Sequence, residues 1–309
     1  MKYFDLHCDT ATELFDRGEN LSDSTLHISD DTISSFKTYS QVFAIFSKHS
    51  LSNDECFDRF FKVTDFFELS NGIKFCKSAA DINDSRCNFI LSVEDARLIG
   101  DDLSRIDSLY ERGVRIFTPF WSGVTTLGGS FDTDEGLSRF GIKAAKHCLE
   151  LGITLDISHA SFKSAREILS IASEYGAPVI ASHSNSYEIC PHPRNLPDDI
   201  ISGISSCGGI IGVCLHSPHL STEHSGISDV ARHVIKLVGS AGPDAVCLGC
   251  DLDGTDMLPD GISSQKDLFK IAEALLSYGF DDEQTEKVFY RNAFDFFKKN
   301  LGIKRKAIQ

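Results

Sequence analysis

Positive charge is what this chain has least of: 30 Lys and Arg stand against 45 Asp and Glu, a formal charge of 30 − 45 = −15. Phosphate binding needs clustered Lys and Arg, so the deficit argues against nucleic acid or an anionic membrane surface as the main partner. A small-molecule substrate becomes the default. Long hydrophobic runs are missing too. Nothing approaches the ~18 consecutive apolar residues of a membrane span, and the start, Met1-Lys2-Tyr3-Phe4-Asp5-Leu6-His7, lacks the apolar stretch of about 7–15 residues of a secretory signal. Proline is scarce, 8 in 309 residues, and with 41% apolar and 24% charged residues the composition is neither disordered nor collagen-like. Ten cysteines are spread along the chain with no dense framework, which argues against a disulfide scaffold. These absences lead us to expect a soluble, cytoplasmic protein with free thiols.

What is present is an alternation. Runs rich in β-branched and aromatic residues predict strands at Tyr3–Cys8, Gln41–Phe46, Asn88–Val93, Val114–Pro119, Ile153–Ser158, Pro178–Ser182, Gly209–Leu215 and Ala245–Cys250. Several are apolar almost throughout, as parallel strands buried on both faces are. Between them lie helical patterns. In Gly136–Leu151 the apolar residues Leu137, Phe140, Ala144, Cys148 and Leu151 form one face, and helices are also expected at 55–69, 101–112, 161–175, 198–207, 228–238, 265–277 and 282–300. Ser228 and Asp282 stand where N-caps belong, and Gly113, Gly152, Gly176 and Gly279 where left-handed C′ residues belong. The polar segment 13–39 reads as a loop or short helix. Length alone allows two domains, but eight β-α alternations match a single (β/α)₈ TIM-type barrel over 1–309, with a doubly wound open sheet as the alternative.

In such barrels the active site is built at the carboxyl ends of the strands. Metal-type residues fall there: His7 and Asp9 at the end of the first run, Glu94 after the third, His159 after the fifth, His183 after the sixth and Asp251 after the eighth. Residues two apart in a strand share a side, so His7 and Asp9 can meet one ion while Cys8 faces away. Mixed imidazole and carboxylate donors suit Zn²⁺, Mn²⁺ or Fe²⁺, and six groups exceed what one catalytic zinc with an open position uses. Two metals bridged by a carboxylate are expected.

The chain resembles the membrane (renal) dipeptidase family, metallopeptidase family M19 of the amidohydrolase superfamily. The resemblance rests on Phe4-Asp5-Leu6-His7-Cys8-Asp9-Thr10, Ser92-Val93-Glu94, Leu155-Asp156-Ile157-Ser158-His159, Ala181-Ser182-His183-Ser184-Asn185, Pro193-Arg194-Asn195-Leu196 and Gly249-Cys250-Asp251-Leu252-Asp253-Gly254, in the family's order and across nearly the whole chain. It implies that His7 and Asp9 bind one zinc, His159 and His183 the other, and that Glu94 bridges them. It also implies Asp251 as the acid/base residue, Arg194 as the substrate anchor, and compatibility with a homodimer. Where some members carry a substrate-contacting His, the alignment places Trp121, the only Trp, which puts substrate range in doubt.

A hydroxide held between two divalent ions would attack the peptide carbonyl of a dipeptide, with Asp251 moving the proton to the leaving amine. Arg194 would grip the free carboxylate by paired charge-assisted bonds. Trp121 is read as a pocket wall, and His216, just after the seventh run, as a further substrate-binding candidate. Two other readings stay open: hydrolysis of N-acyl or D-amino-acid derivatives by the same metals, and a binding protein that has lost turnover. Simpler roles are assigned elsewhere: Asp253 to a turn, Cys247 and Cys250 to core packing, His192 to the surface, and His27, His49, His147 and His233 to surface or helix packing. Gly128-Gly129 lacks the context of a phosphate loop.

Overall fold

The computed structural model describes residues 1–308, and its framework is one parallel sheet of eight strands wrapped into a nearly closed barrel. The strands are β1 (Lys2–Cys8), β2 (Thr38–Phe46), β3 (Asn88–Glu94), β4 (Val114–Thr118), β5 (Thr154–Asp156), β6 (Val179–Ile180), β7 (Ile211–Val213) and β8 (Val246–Leu248). They run β6-β5-β4-β3-β2-β1-β8-β7 around the sheet. A parallel bridge between Ala181 and Ile211 brings β6 and β7 together at the remaining gap. All eight expected strands and the TIM-type architecture are therefore present.

The first four strands are long and the last four short, and the difference has a local cause. Beyond Asp156, Ile180 and Leu248 the backbone leaves the ladder, and His159 and Asp251 adopt left-handed φ of 66° and 60°. A non-glycine residue pays for that conformation in steric strain, and such residues concentrate at functional sites. The tight side of the barrel also needs small residues. A Cβ on Gly249 would lie 1.7 Å from the Ser182 carbonyl oxygen, and one on Gly212 2.0 Å from the same atom. Only glycine lets β6, β7 and β8 approach this closely.

The barrel interior is packed rather than hollow. Phe4, Leu6, Val42, Ile90, Ile116, Ile180 and Cys247 share a buried cluster with Tyr290, Phe294 and Phe297 of the carboxyl-terminal helical segment. Phe4 stacks on Phe297 at 5.2 Å, joining the first strand to the last helix. The expected helix 282–300 is present but is interrupted by a π-turn over Lys287–Arg291. A second, larger cluster joins the strands to the surrounding helices.

Some boundaries shift. The segment 13–39 carries helices at Thr10–Arg17 and Asp30–Ser34. The helix expected from Ser228 begins at Ile227 after Gly226, and Asp281, not Asp282, caps its helix by accepting from the Gln284 N–H. All ten cysteines are free, and Cys247 and Cys250 are buried in the core as expected. No helix among the described residues is long and apolar enough to cross a membrane.

One buried histidine makes the fold sensitive to acid. His233 is fully buried, with Nδ1 accepting from the Ser186 N–H at 3.1 Å and Nε2–H donating to the Leu220 carbonyl at 3.0 Å. Burial lowers its pKa to about 4 from an ordinary 6.5. A base held neutral in the fold and protonated more readily when unfolded stabilises fully above pH 6.5, and this stability is lost as pH falls towards 4. Between pH 7 and 5 the wild type should lose about 2 kcal/mol more than His233→Gln, read from urea midpoints at both pH values. Parallel losses in the two proteins would refute this role.

Candidate metal centre

Six side chains predicted from strand ends converge at one end of the barrel. Glu94 is the last residue of β3, while His159, His183 and Asp251 each sit three residues past the ends of β5, β6 and β8. Asp9 lies just beyond β1, at the N-cap position of helix Thr10–Arg17, so strand alternation does not place it beside His7. The register of β1 on β2 slips between Asp5 and Cys8, and such slips re-aim side chains near active sites. Asp9 Oδ2 still lies 3.5 Å from His7 Nε2, and the Cys8 thiol turns away towards the Val42 carbonyl.

Two halves share one carboxylate. Glu94 Oε2 lies 3.5 Å from His7 Nε2, while Oε1 lies 3.1 Å from His159 Nε2 and 3.6 Å from His183 Nε2. Three overlapping groups have ligand atoms close enough to hold an ion: His7, Asp9 and Glu94; Glu94, His159 and His183; and His7, His183 and Asp251.

The hydrogen bonding is compatible with bound cations. His159 Nδ1 must donate to the Trp121 carbonyl, 3.0 Å away, because a carbonyl only accepts. His183 Nδ1 is held by the Ser182 hydroxyl at 2.8 Å. The two Nε2 atoms then face each other across 2.9 Å beside Glu94. Burial favours the neutral form of both rings, lowering His159 to about 4 with help from Arg194, and holding His183 well below its ordinary value with help from His7. A divalent cation lying against both Nε2 atoms and Glu94 would satisfy all three at once. On the other side, His7 Nε2 and Asp9 Oδ1 are buried without hydrogen-bond partners, and His7 Nε2 is ringed by Asp9, Glu94 and Asp251 at 3.5–3.7 Å. Buried polar groups are nearly always satisfied, so these unpaired atoms are open to an ion.

The carboxylates respond to their crowding. Burial and the Glu94 charge push Asp9 up to about 6. Burial would raise Glu94 too, but the neighbouring His7 outweighs it and holds Glu94 well below the usual range. Burial, with Asp9 and Glu94 nearby, pushes Asp251 up to about 8 against the lowering effect of His7. Gly254 closes the site, since a Cβ there would lie 2.2 Å from Asp9 Oδ2 and 2.5 Å from Asp251 Oδ1.

A cavity of about 210 Å³ opens onto this cluster, lined by Asp9, Glu94, His159 and Asp251 and walled by Phe46 and Trp121. Trp121 packs edge-on against Phe46 at 5.2 Å and His49 at 4.6 Å and lies over His159 at 6.3 Å. Arg194 is buried, donates to the His183 carbonyl at 3.3 Å and lies 5.8 Å from the Phe131 ring. His216 Nδ1 is held by the Thr255 hydroxyl at 2.7 Å and its ring packs on His219 at 4.5 Å, so it stands beside this cavity's lining rather than in it.

The amino-acid sequence from residue 1 to 307 matches the family model for membrane dipeptidase, peptidase family M19. The chain belongs to the membrane dipeptidase family. It is 31% identical over 237 residues to an uncharacterized protein in the pqqA 5′ region of Klebsiella pneumoniae, covering 71% of this chain and 86% of that one. Its fold is that of a dipeptidase AC of family M19, with TM-score 0.89, 24% identity and coverage of 98% and 99% of the two chains. It is also that of a metallopeptidase from Rhodobacter sphaeroides solved with a phosphinate mimic of L-Ala-D-Ala, with TM-score 0.86, 23% identity and coverage of 97% and 99%.

Supporting residues of this family member escaped the sequence reading. Asp5 and Asp156 lie buried in β1 and β5 and tie strand ends together. Asp5 accepts from the backbone N–H of His7 and of Cys250, at 2.9 and 3.0 Å. Asp156 accepts from the N–H of Ser158 and of Ser182, both at 2.9 Å. Both aspartates interrupt apolar strands, an anomaly visible in the sequence, because buried carboxylates are rare unless satisfied. Asp253 is more than turn chemistry: its buried carboxylate accepts from the Thr10 hydroxyl and the His27 N–H. His49 pairs with Asp95 at 2.9 Å beneath the Trp121 wall, and His192 Nδ1 accepts from the Arg194 N–H.

Proposed function

We propose that this protein is a dipeptidase with a binuclear zinc centre, in which His7 and Asp9 hold one ion, His159 and His183 the other, and Glu94 both. The observation that carries the reading is the convergence of the His159 and His183 Nε2 atoms, 2.9 Å apart beside Glu94, with the unpartnered His7 Nε2 on its other side. When bound, two divalent ions supply Lewis acidity towards the peptide carbonyl and lower the pKa of water enough to provide hydroxide at neutral pH. The chain's own residues supply the rest. Asp251, half-buried at the cavity wall, takes a proton from the water and delivers it to the leaving amine. A cation beside it would draw its raised pKa back towards neutrality, where a carboxyl can do both.

Arg194 recognises the substrate carboxylate. No Asp or Glu forms an ion pair with its guanidinium among the described residues, and its side-chain hydrogen bond is to the His183 carbonyl. A buried cation without a counter-charge is costly, and a dipeptide's terminal carboxylate would supply one within reach of the metal ligands. Trp121 and Phe46 wall the cavity, where they would contact apolar parts of the peptide. His216, beside the cavity, is proposed as a further substrate contact.

The test is metal analysis of protein purified without chelator, with turnover of a dipeptide panel that includes L-Ala-D-Ala. Two zinc equivalents and hydrolysis of free-carboxylate dipeptides are expected. Arg194→Ala should raise KM for these by the loss of a charged hydrogen bond worth about 1.5–3 kcal/mol, with less effect on amidated peptides. Equal losses on both would remove Arg194 from carboxylate binding. Near-zero metal, or activity confined to N-acyl compounds, would overturn the dipeptidase reading.

A further inference from the structure

Asp156 does more than join β5 to β6. Its Oδ1 accepts the two backbone N–H groups of Ser158 and Ser182, while its Oδ2 accepts the Thr118 hydroxyl at 2.8 Å and the Ser182 hydroxyl at 2.5 Å. Among the described residues no Lys, Arg or His pairs with this fully buried carboxylate, and four donors satisfy it. The Ser182 hydroxyl has one proton. Ser158 Oγ lies 3.3 Å away and Asp156 Oδ2 only 2.5 Å, so the proton goes to the carboxylate. Ser182 Oγ can then only accept from His183 Nδ1, 2.8 Å distant, and the imidazole proton must sit on Nδ1.

We propose that Asp156 is a positioning residue that acts through Ser182 to hold His183 with its proton on Nδ1 and its Nε2 lone pair free for a divalent cation. His159 gets the same arrangement from a backbone carbonyl, that of Trp121. For His183 it depends on a side chain and can therefore be reversed by mutation. In Asp156→Asn the two backbone N–H groups require the amide oxygen at Oδ1, so the amide NH₂ faces Ser182. The NH₂ donates to Ser182 Oγ, the serine proton turns to His183 Nδ1, and the imidazole proton moves to Nε2. The number of hydrogen bonds along the chain is unchanged, but its direction is inverted, and a cation must now displace a proton.

This inference rests on the proposed role of His183 as a ligand, and two measurements separate the failure of one from the failure of the other. The first is ¹H–¹⁵N correlation of the imidazoles in zinc-free protein, with the His183 signals assigned by their loss in His183→Gln. The wild type should show Nδ1–H and Asp156→Asn Nε2–H. The second is Zn²⁺ titration against a chromophoric chelator. Asp156→Asn should bind one of two ions about 10–100-fold more weakly, the usual cost of losing a ligand's hydrogen-bond partner, and Ser182→Ala should lose less. The double variant should bind more tightly than Asp156→Asn alone, because without the hydroxyl nothing enforces the wrong tautomer. A purely structural Asp156 would give additive losses instead. Should Asp156→Asn fail to fold, the tautomer in wild type and the affinity of Ser182→Ala still decide. Nε2–H in the wild type, wild-type affinity in Ser182→Ala, or additive losses in the double variant would overturn the inference. A wild type that binds no zinc but shows Nδ1–H would overturn the metal reading alone.

Discussion

Replacing Asp251 by Asn is expected to lower kcat about 10²–10⁴-fold while both zinc ions stay bound and KM changes little. The substitution keeps the shape of the side chain and removes its capacity to carry a proton. It is also the change the backbone best accepts: Asp251 has φ of 60°, a region where Asn is enriched and alanine is strained. Zinc content must be measured alongside the rate. Asp251 Oδ1 lies 3.7 Å from His7 Nε2, and Asp251 groups with His7 and His183 at ligand distance. A lost rate accompanied by a lost zinc would make Asp251 a ligand rather than the proton carrier, and a retained rate would require another carrier.

Glu94→Gln should have the second large effect, loss of affinity for both ions at once. Glu94 is buried, and its two oxygens serve the two halves of the site separately: Oε2 faces His7, and Oε1 faces His159 and His183. An amide in its place removes the charge and presents an N–H to one side or the other. Because a ligand that binds only the folded state stabilises it by about 2.7 kcal/mol at 100 times its Kd, zinc should raise the wild-type Tm by roughly 5 °C or more. Glu94→Gln should show almost no shift, and its turnover should fall with its zinc content. A variant that still binds two ions, or loses only one, would mean that Glu94 does not bridge.

Much of this site could be read from the chain because its residues follow from a period and a topology. Apolar runs alternating with helical faces predict the barrel, a barrel places its chemistry at the carboxyl ends of strands, and Glu94, His159, His183 and Asp251 follow from that rule. Asp9 was placed by a rule that does not apply. It meets His7 through a register slip and a helix start, not through strand alternation. Residues that act through others left a weaker signal, an aspartate inside an apolar strand at Asp5 and Asp156. Asp156, Ser182 and the Trp121 carbonyl matter because of which proton each can give or accept, and apart from the adjacent pair Ser182 and His183 that depends on partners 26 to 38 residues away in the chain.

By itself, then, the amino-acid sequence determined the fold class, the strand order and the roster of ligand-type residues, since these depend on local periodicity and composition. Tertiary structure alone decided that Glu94 lies between two groups of donors, that the two imidazole Nε2 atoms point at each other, and that Arg194 is buried without an acidic partner. Hydrogen-bond direction and the balance of buried charge are properties of atoms brought together from distant strands, so no window of sequence contains them.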